Sequence, residues 1–448
     1  MAVSGWFVAL ILVGAVPVVV LDGWYGLLAW LGVAVLLAAG DLVLAGSPRR
    51  LRFARQAPGR MRLGETAPVA LLVENAGTRT IRGILRDAWQ PSAGMTFEGS
   101  RPAAAPAPAR RRIALPPGER RVLRGSLTPV RRGERLAVHV TVRSFGPLRL
   151  AARQASIRVP GAVRVLPPFA SRRHLPSRLA RLRELDGRTS VMVRGQGTEF
   201  DSLREYVRGD DVRSIDWRAT ARRRDPRGGG ATLVVRTWRP ERDRRVVIVI
   251  DSGRTSAARI ADEPRLDTAF EASLLLAALA TRAGDRVDLV VYDRRVRGRV
   301  QGASAADLLA RMVDVMAPIE PELLETDWSA VPGLVRQAST QRALVVLLTS
   351  AQTPGSSRSL LTTLPELTRQ HTVLVVSVAD PDVLAATRER ADRAEVYRAA
   401  AAERAMLDAA RVAAAIRQLG AEVVTGAPAE LPPAVADAYL ALKAAGRL

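Results

Sequence analysis

The chain begins with two apolar runs that lie almost end to end. They cover Trp6–Leu21 and Tyr25–Gly46, and three residues separate them. A helix needs about 20 residues to cross ~30 Å of hydrocarbon. The second run has that length, and the first reaches it only with the residues before it and the turn after it. Residues 1–48 are therefore predicted to form a transmembrane helical hairpin, with a cleaved or buried apolar hairpin as the alternative.

The charges around this hairpin predict its orientation. Arginines crowd the sequence after the second run, beginning at Arg49, whereas the turn carries only Asp22. Because basic flanks stay on the cytoplasmic side, both termini and the later domains are predicted to be cytoplasmic. The chain is thus expected in the cell membrane as a two-helix, multi-pass protein in contact with the lipid bilayer. Asp41, near the end of the second run, is expected to reach water.

Residues 51–168 change to short runs in which apolar and polar residues alternate. Ile81–Trp89 is one such run, and "RLAVHVTVRSFGPLRL" (135–150) contains another. Turns rich in Gly and Pro separate these runs at roughly 8–12-residue spacing, which is typical of an antiparallel sandwich. We predict an all-β, immunoglobulin-like sandwich that serves as an interaction module.

Residues 244–448 alternate buried strands with helices. Arg245–Asp251 is a continuous apolar run, and similar runs cover Ala343–Ser350 and Thr372–Asp380. Such runs are typical of strands covered on both faces of a parallel sheet. The pattern predicts a doubly wound, Rossmann-like α/β domain. Ligands of such sheets bind beyond the carboxyl ends of the strands, which directs attention to the residues after Asp251.

Composition excludes several classes of site. The 448 residues are enough for two or three domains, so the protein is multidomain. The absence of cysteine excludes disulfides and thiol nucleophiles, and Lys443 is the only lysine, so the chain has no Walker A loop. No catalytic triad stands out. The net charge of +23 suits a protein beside anionic lipid headgroups better than a nucleic-acid binder.

The first strand of the α/β domain runs into "DSGRTS" (251–256). This stretch resembles the first loop of the metal-ion-dependent adhesion site of von Willebrand factor A domains, where an aspartate and two hydroxyls hold a divalent cation. Asp251 and Thr255 match that loop, Gly253 replaces its middle serine, and Thr326 is the candidate for the second-loop threonine. The resemblance implies Mg²⁺, which prefers oxygen ligands. No carboxylate follows the later strand at "LLTSAQTP", so a degenerate site that binds metal weakly or not at all is an equally open interpretation.

Residues 169–243 are predicted to form a linker helix followed by a highly charged segment. From Arg194 to Arg223 the segment resembles the signature of the bacterial domain of unknown function 58 family, membrane proteins with a C-terminal von Willebrand A-like domain. The resemblance extends over nearly the whole chain. It implies a MoxR-type AAA+ ATPase as partner, besides other membrane or envelope proteins. The signature residues predicted to form an interaction surface are Glu199, Phe200, Arg204, Tyr206, Gly209, Asp210, Asp211, Arg213, Asp216, Trp217 and Arg222.

The residues of this segment allow three interpretations. In the first, a helix from Phe200 to Val207 packs its apolar face on a neighbouring domain, while carboxylates and guanidinia pair into a clamp. In the second, carboxylates between Glu199 and Asp216 serve a carboxylate- or metal-dependent hydrolase, although so many arginines keep them ionised. The third, nucleic-acid binding around residues 222–230, is disfavoured because few aromatic residues are interleaved.

Together these features predict a membrane-anchored scaffold or adaptor that faces the cytoplasm and binds proteins. Its expected role is complex assembly or maturation with the AAA+ ATPase. No residue is assigned a catalytic role, and the hydrolase is kept as the alternative.

Overall fold

The computed structural model describes residues 2–14, 16, 24–99, 109–192, 199–208, 210–222, 233–239 and 244–448, with the backbone alone at 186–192, 199–202 and 237–239. The chain divides into two compact units, Met1–Pro168 and Phe169–Leu448. The helices are α1 Gly5–Val13, α2 Trp24–Leu44, α3 Leu175–Met192, α4 Trp217–Arg222, α5 Arg265–Arg282, α6 Leu308–Met316, α7 Val331–Ala338, α8 Pro354–Thr368, α9 Pro381–Ala386, α10 Arg393–Gln418 and α11 Leu431–Ala444. The strands are β1 Ala2–Val3, β2 Leu51–Gln56, β3 Arg60–Arg62, β4 Ala67–Asn75, β5 Ile81–Trp89, β6 Met95–Phe97, β7 Arg110–Leu115, β8 Arg120–Leu127, β9 Gly133–Phe145, β10 Ala151–Leu166, β11 Glu199–Glu205, β12 Val234–Arg239, β13 Arg245–Asp251, β14 Arg259–Ile260, β15 Glu263–Pro264, β16 Arg286–Tyr292, β17 Val296–Val300, β18 Leu344–Leu348, β19 Thr372–Val378 and β20 Glu422–Gly426.

The apolar N-terminal region contains one candidate membrane span. Among the described residues, α2 is the one helix that is long and apolar enough to cross a bilayer. Helix α1 has nine residues, fewer than a span needs. Residues 15 and 17–23 of the predicted hairpin lie outside the described part of the chain. The structure therefore supports one membrane helix and does not confirm the second.

Asp41, near the end of α2, is buried rather than exposed to water. Its side chain is 1% exposed, so the expectation that it reaches solvent was wrong. Oδ1 accepts the backbone N–H of Leu148 at 2.8 Å, and Oδ2 accepts those of Leu150 at 2.8 Å and Ala151 at 3.0 Å. These three amide donors satisfy both oxygens of the buried carboxyl group. Asp41 thus ties the end of the helix to the turn between β9 and β10.

Further hydrogen bonds reinforce the same junction. Arg153 donates its Nε–H to the carbonyl of Leu42 at 2.9 Å, and Ser4 donates its N–H to the carbonyl of Leu150 at 3.1 Å. The short strand β1 also pairs antiparallel with the first residues of β10. The helix and the strand pair are therefore joined at several points.

Gly146 in this turn has room for no side chain. A Cβ there would lie 2.1 Å from Oδ1 and 2.2 Å from the main-chain oxygen of Asp41. We expect Gly146→Ala to lower the local unfolding free energy by about 1–3 kcal/mol, the usual range for overpacking. Hydrogen exchange of the Leu148–Ala151 amides, measured on the full chain in detergent micelles, would show faster opening.

A matched control is available in the same unit. Gly59 has nothing within 4 Å of an added Cβ, so Gly59→Ala should leave those amides as protected as in the parent chain. Equal protection in all three proteins would contradict the tight junction at Asp41.

Residues 51–166 form two sheets around one core. One sheet has the order β1-β10-β9-β5-β7 with β3 beside β10, and the other has the order β2-β4-β8-β6. All pairs are antiparallel except β3 with β10. Inward-facing side chains from both sheets, such as Leu71, Leu85 and Val142, form a single cluster that is almost fully buried. Alternation along each strand produces this predicted β-rich sandwich.

An ion pair joins the two sheets inside this core. Arg55 on β2 pairs with Asp87 on β5, and their side chains are 3% and 1% exposed. Arg55 also donates to the carbonyl of Val159 at 2.7 Å, while Asp87 accepts the indole N–H of Trp89 at 3.1 Å. Burial raises the pKa of Asp87, although the Arg55 charge and the Trp89 hydrogen bond oppose it. Burial also lowers the pKa of Arg55 against the pull of Asp87.

The second unit is built on a six-stranded sheet of order β17-β16-β13-β18-β19-β20. Every pair is parallel except the edge pair β16–β17. Val247 and Val249 of β13 pack with α7, α8 and α10, so the alternate residues Ile248 and Ile250 face the other side. Strand order reverses at β13, between β16 and β18. The end of β13 is therefore the topological switch point, where open α/β sheets bind ligands.

The charged segment is a strand rather than the predicted helix. β11 covers Glu199–Glu205 and pairs antiparallel with β12. The spacing of apolar residues from Phe200 to Val207 also fits a strand with a bulge, and the pairing register shifts after Phe200. Leu203 and Val207 are 45% and 63% exposed, so they do not form the expected apolar anchor against a neighbouring domain.

Candidate functional site

The carboxylate of Asp251 is the centre of the switch-point edge. It is 3% exposed and accepts four hydrogen bonds. Oδ1 accepts the N–H of Gly253 at 2.8 Å and the hydroxyl of Thr326. Oδ2 accepts the hydroxyls of Thr349 at 2.7 Å and Thr255 at 3.3 Å. One charged group thus joins the loops that follow β13 and β18 to the segment that precedes α7.

Two of the three predicted metal ligands lie beside the third. Thr255 and Thr326 both contact Asp251, as the resemblance to an adhesion site implies. Sequence reasoning missed Thr349, because it looked only for a carboxylate in "LLTSAQTP" and did not consider the hydroxyl. The available signal was position: Thr349 directly follows β18, and β18 pairs in parallel with β13.

Gly253 stands where the adhesion site has a serine, and the structure explains the replacement. A Cβ at this position would lie 2.4 Å from the hydroxyl oxygen of Thr326 and 2.8 Å from the carbonyl oxygen of Leu324. A serine therefore cannot fit unless the segment carrying Thr326 moves away. The missing hydroxyl is a consequence of the close approach of that segment.

We call residues 320–327 the acidic loop, after its glutamates. Backbone hydrogen bonds join it to the sheet edge. The N–H of Glu322 donates to the carbonyl of Ser252 at 2.8 Å, and the N–H of Arg254 donates to the carbonyl of Leu324 at 2.7 Å. The N–H of Asp327 donates to the carbonyl of Asp293 at 2.8 Å. These bonds hold the loop over both β13 and β16.

Asp293, directly after β16, is a second buried carboxylate at this edge. It accepts the Nε–H of Arg297 at 2.6 Å and the N–H groups of Arg294 at 2.5 Å and Arg295 at 3.1 Å. Burial acts to raise the pKa of Asp293, but these hydrogen bonds outweigh it and lower the pKa. Asp293 is therefore an ionised structural acceptor at neutral pH.

Arg265, the first residue of α5, brings a buried positive charge to the same edge. Its guanidinium donates to the carbonyl of Thr255 at 2.8 Å and to the side-chain oxygen of Gln352 at 3.0 Å. Burial lowers the pKa of Arg265, while the carboxylates of Asp380 and Asp251 raise it. The edge thus contains a buried guanidinium that the carboxylates of Asp380 and Asp251 stabilise.

The donor set does not fit a divalent cation well. The described residues contain no group of three or more His, Cys, Asp or Glu side chains that could hold a metal ion. The threonine hydroxyls all point their protons at Asp251, and a neighbouring guanidinium repels a cation. Mg²⁺ prefers an octahedral set of oxygens that includes carboxylates. Magnesium binding stays a prediction, and the geometry argues against it.

The signature segment forms a small unit that we call the signature module, residues 203–208 and 210–222 with 233–236. Arg204 binds Asp210 through two hydrogen bonds of 2.8 and 2.5 Å. Asp216 caps α4 by accepting the N–H groups of Arg218 and Ala219, and it accepts the Nε–H of Arg236 at 2.8 Å. Those hydrogen bonds, that from Ala219 first, lower the pKa of Asp216.

The predicted clamp residues thus divide into several groups. Arg204 and Asp210 come together as expected, whereas Asp216 pairs with Arg236, which lay outside the predicted set. Asp211 accepts the N–H of Arg213 at 3.0 Å. Tyr206 donates its backbone N–H to the carbonyl of Leu233. The side chains of Arg213 and Arg222 are exposed. Glu199 and Phe200 are described by their backbone only, and Gly209 lies outside the described residues.

Several apolar residues of the module face solvent, whereas Val234 and Val235 are buried. Trp217 is 67% exposed, and Val207 and Val212 are each 63% exposed. On α4 the exposed residues Trp217, Arg218, Ala221 and Arg222 fall within an arc of about 140°, since each residue turns the helix by about 100°. The opposite side, with Thr220, is buried. One face of the helix therefore shows an indole at one edge and the guanidinia of Arg218 and Arg222 toward the other.

Chemically, this module suits binding better than proton transfer. Asp210 and Asp216 are both committed to arginines and backbone N–H groups. A general acid needs a pKa raised toward neutral pH, and that of Asp216 is lowered. The described part of the module thus contains no carboxylate pair arranged for acid–base chemistry.

Most of the signature segment lies in a region that matches a known protein family. Residues 202–405 match the family described as protein of unknown function DUF58. Uncharacterized protein Mb1516 of Mycobacterium bovis and uncharacterized protein Rv1480 of Mycobacterium tuberculosis are each 25% identical to the chain over 192 residues, 42% of this chain. The match spans 57% of the length of each relative.

Two solved structures are similar to separate parts of the chain. The von Willebrand factor type A protein from Catenulispora acidiphila is 14% identical, with a TM-score of 0.27, and the match covers 48% of this chain and 44% of that one. The CARDB domain of the PF1109 protein from Pyrococcus furiosus, solved with di-metal ions, is 14% identical, with a TM-score of 0.18 over 27% of this chain and 94% of that one. The fold described above rests on the topology of this chain itself.

Proposed function

We propose that this chain is a membrane-anchored adaptor of the DUF58 family that docks an acidic partner protein on its signature module. The observation that carries the proposal is the exposed face of α4, where Trp217 is 67% exposed and shares that face with Arg218 and Arg222. Trp and Arg are the residues most enriched at the energetic centres of protein interfaces. The exposed indole and the guanidinia on the same face together supply both residue types.

The charges of the module indicate the chemistry of that partner. Within the described part of the module, four exposed arginines form no ion pair, namely Arg208, Arg213, Arg218 and Arg222. The neighbouring carboxylates are different, because Asp210, Asp211 and Asp216 already accept hydrogen bonds from the module itself. The surface is therefore positive as well as apolar. It fits a partner with an acidic rim around a slot for an indole.

A MoxR-type AAA+ ATPase is the partner that the family resemblance implies, and the chain complements such a motor. Its single lysine, Lys443, is partly buried near the end of α11 and pairs with Asp285 at 3.1 Å, so it cannot serve a phosphate loop. In the proposed division of labour, the ATPase supplies nucleotide hydrolysis and this chain supplies attachment. Its clients are membrane or envelope proteins whose assembly the motor assists.

The membrane anchor of the proposal is α2. The arginines that follow it, Arg49, Arg50 and Arg52, favour the cytoplasmic side of the bilayer. The soluble units are accordingly placed in the cytoplasm, where an ATPase and its nucleotide are available. Attachment to the membrane also raises the local concentration of any partner held there, so a docking surface of modest affinity suffices.

The test is the affinity of the full chain in lipid nanodiscs for the MoxR-type ATPase of the same organism, measured by biolayer interferometry. We expect Trp217→Ala to weaken binding at least tenfold, since interface hot spots contribute about 2 kcal/mol or more. Binding of the parent chain should also weaken as salt rises, because the arginines are exposed. Tyr397→Ala is the matched control: Tyr397 is 65% exposed on α10, outside the module.

Two results would contradict the proposal. One is an equal loss of affinity in the Trp217 and Tyr397 variants. The other is that the ATPase fails to bind while a reporter dye at Trp217→Cys responds to anionic vesicles, which would make the module a lipid contact. The chain has no other cysteine, so such a dye labels one position.

A further inference from the structure

We infer that the guanidinium of Arg265 takes the place of a divalent cation at the switch-point edge, where the hydroxyl of Thr326 holds the acidic loop against Asp251 without metal. This inference concerns the α/β edge and does not depend on the partner of the signature module. It also explains why the chain resembles an adhesion site yet has a donor set that fits a cation poorly.

The position of Arg265 is the first support. The side chain is 6% exposed, and its guanidinium donates to the carbonyl of Thr255 at 2.8 Å. The hydroxyl of the same threonine donates to Asp251 at 3.3 Å. One residue thus separates the guanidinium from the central carboxylate, and both charged side chains are buried. The two opposite charges therefore interact in a low-dielectric environment.

The contacts of Arg265 are the second support, because they join the loops after β13 and β18, two of the elements that a bound cation would join. One hydrogen bond reaches Thr255, after β13, and another reaches Gln352, after β18, at 3.0 Å. Gln352 in turn donates to the carbonyl of Val378, at the end of β19, at 3.1 Å. The guanidinium and Gln352 therefore link three neighbouring strand ends.

Charge balance is the third support. Asp251 and Asp380 are the carboxylates that act on Arg265, and both stabilise its charged form against burial. Asp251 in turn receives only neutral donors from Gly253 and the threonines. A divalent cation added beside Arg265 would meet a like charge and would require the hydroxyl protons to turn away from Asp251. Removing the guanidinium would remove that repulsion and leave two carboxylates uncompensated.

The test compares three full-length proteins in detergent micelles: the parent chain, Arg265→Met and Arg265→Lys. Melting temperatures are measured with millimolar MnCl₂ and with EDTA. The melting temperature of the parent chain should be the same with MnCl₂ as with EDTA. The same holds for the lysine variant, which keeps a positive charge. Arg265→Met should melt lower in EDTA, and Mn²⁺ should raise its melting temperature by about 3 °C or more. Adding Asp251→Asn to Arg265→Met should abolish that rise.

Isothermal titration of the parent chain with Mn²⁺ keeps the inference testable even if Arg265→Met does not fold. A stoichiometric binding heat that Asp251→Asn removes would show that the natural edge holds a cation, and the inference would be wrong. It would be equally wrong if folded Arg265→Met gained no response to Mn²⁺.

Discussion

Replacing Asp251 with alanine is expected to open the carboxyl edge of the α/β sheet. Four donors lose their acceptor at once, namely the N–H of Gly253 and the hydroxyls of Thr255, Thr326 and Thr349. Each unsatisfied buried donor costs about 1–3 kcal/mol before relaxation, and Arg265 loses one of its two balancing charges. Local stability should fall by about 3–5 kcal/mol, the range for breaking a buried charge pair.

Hydrogen exchange with mass spectrometry reports this locally, so the unfolding of the other unit does not interfere. Peptides from the end of β13 and from the acidic loop should exchange much faster in Asp251→Ala. Thr349→Val is the matched control: it keeps the shape and removes one donor, with an expected loss of about 1 kcal/mol. If the two variants open equally, the role of Asp251 as the common acceptor is wrong.

The second large effect is expected at the ion pair between the two sheets of the β unit. Asp87→Ala leaves the guanidinium of Arg55 buried, with 3% of its side chain exposed, and removes the acceptor of the Trp89 indole. Losing one partner of a buried pair costs about 3–5 kcal/mol. The double change Arg55→Met with Asp87→Leu should restore most of that stability, because no charge is left uncompensated. Hydrogen exchange of the β5 and β9 amides measures the loss of stability in Asp87→Ala and its recovery in the double variant.

The same pair has a pH signature. Burial raises the pKa of Asp87 in the folded state, so the folded chain binds the proton of this carboxyl group more tightly than the unfolded chain does. The stability that this proton binding adds is complete below the unfolded pKa of about 3.9, and it is lost as the pH rises through the folded pKa. The parent chain should therefore gain stability relative to Asp87→Asn as the pH falls from neutral toward about 4. A difference between them that does not change with pH would contradict the raised pKa.

Local patterns in the sequence predicted the elements of the α/β unit well. The apolar run at Arg245–Asp251 is strand β13 with the same bounds, because a strand buried on both faces leaves a continuous apolar signal. The alternation along Ile81–Trp89 likewise became β5. These signals are short-range, and a single strand or helix is enough to produce them.

The errors arose where the outcome depended on distant partners. Phe200–Val207 fits a helical and a bulged-strand spacing equally, and only pairing with β12, about thirty residues later, decides between them. Asp41 finds its donors at Leu148 and Ala151, more than 100 residues away. Thr349 carries no charge to mark it as a site residue. Its meaning appears only when β18 lies beside β13.

The tie between Asp41 and the turn at Leu148 also gives the β unit a mechanical property. A helix whose last turn is hydrogen-bonded to a sandwich cannot rotate independently of it, so the helix and the sandwich change their orientation together. The tilt of a membrane helix depends on how its apolar length compares with the thickness of the bilayer. With α2 inserted, a thinner membrane would tip the helix and swing the sandwich by the same angle. The lipid composition around this chain would then set the direction in which its β unit points.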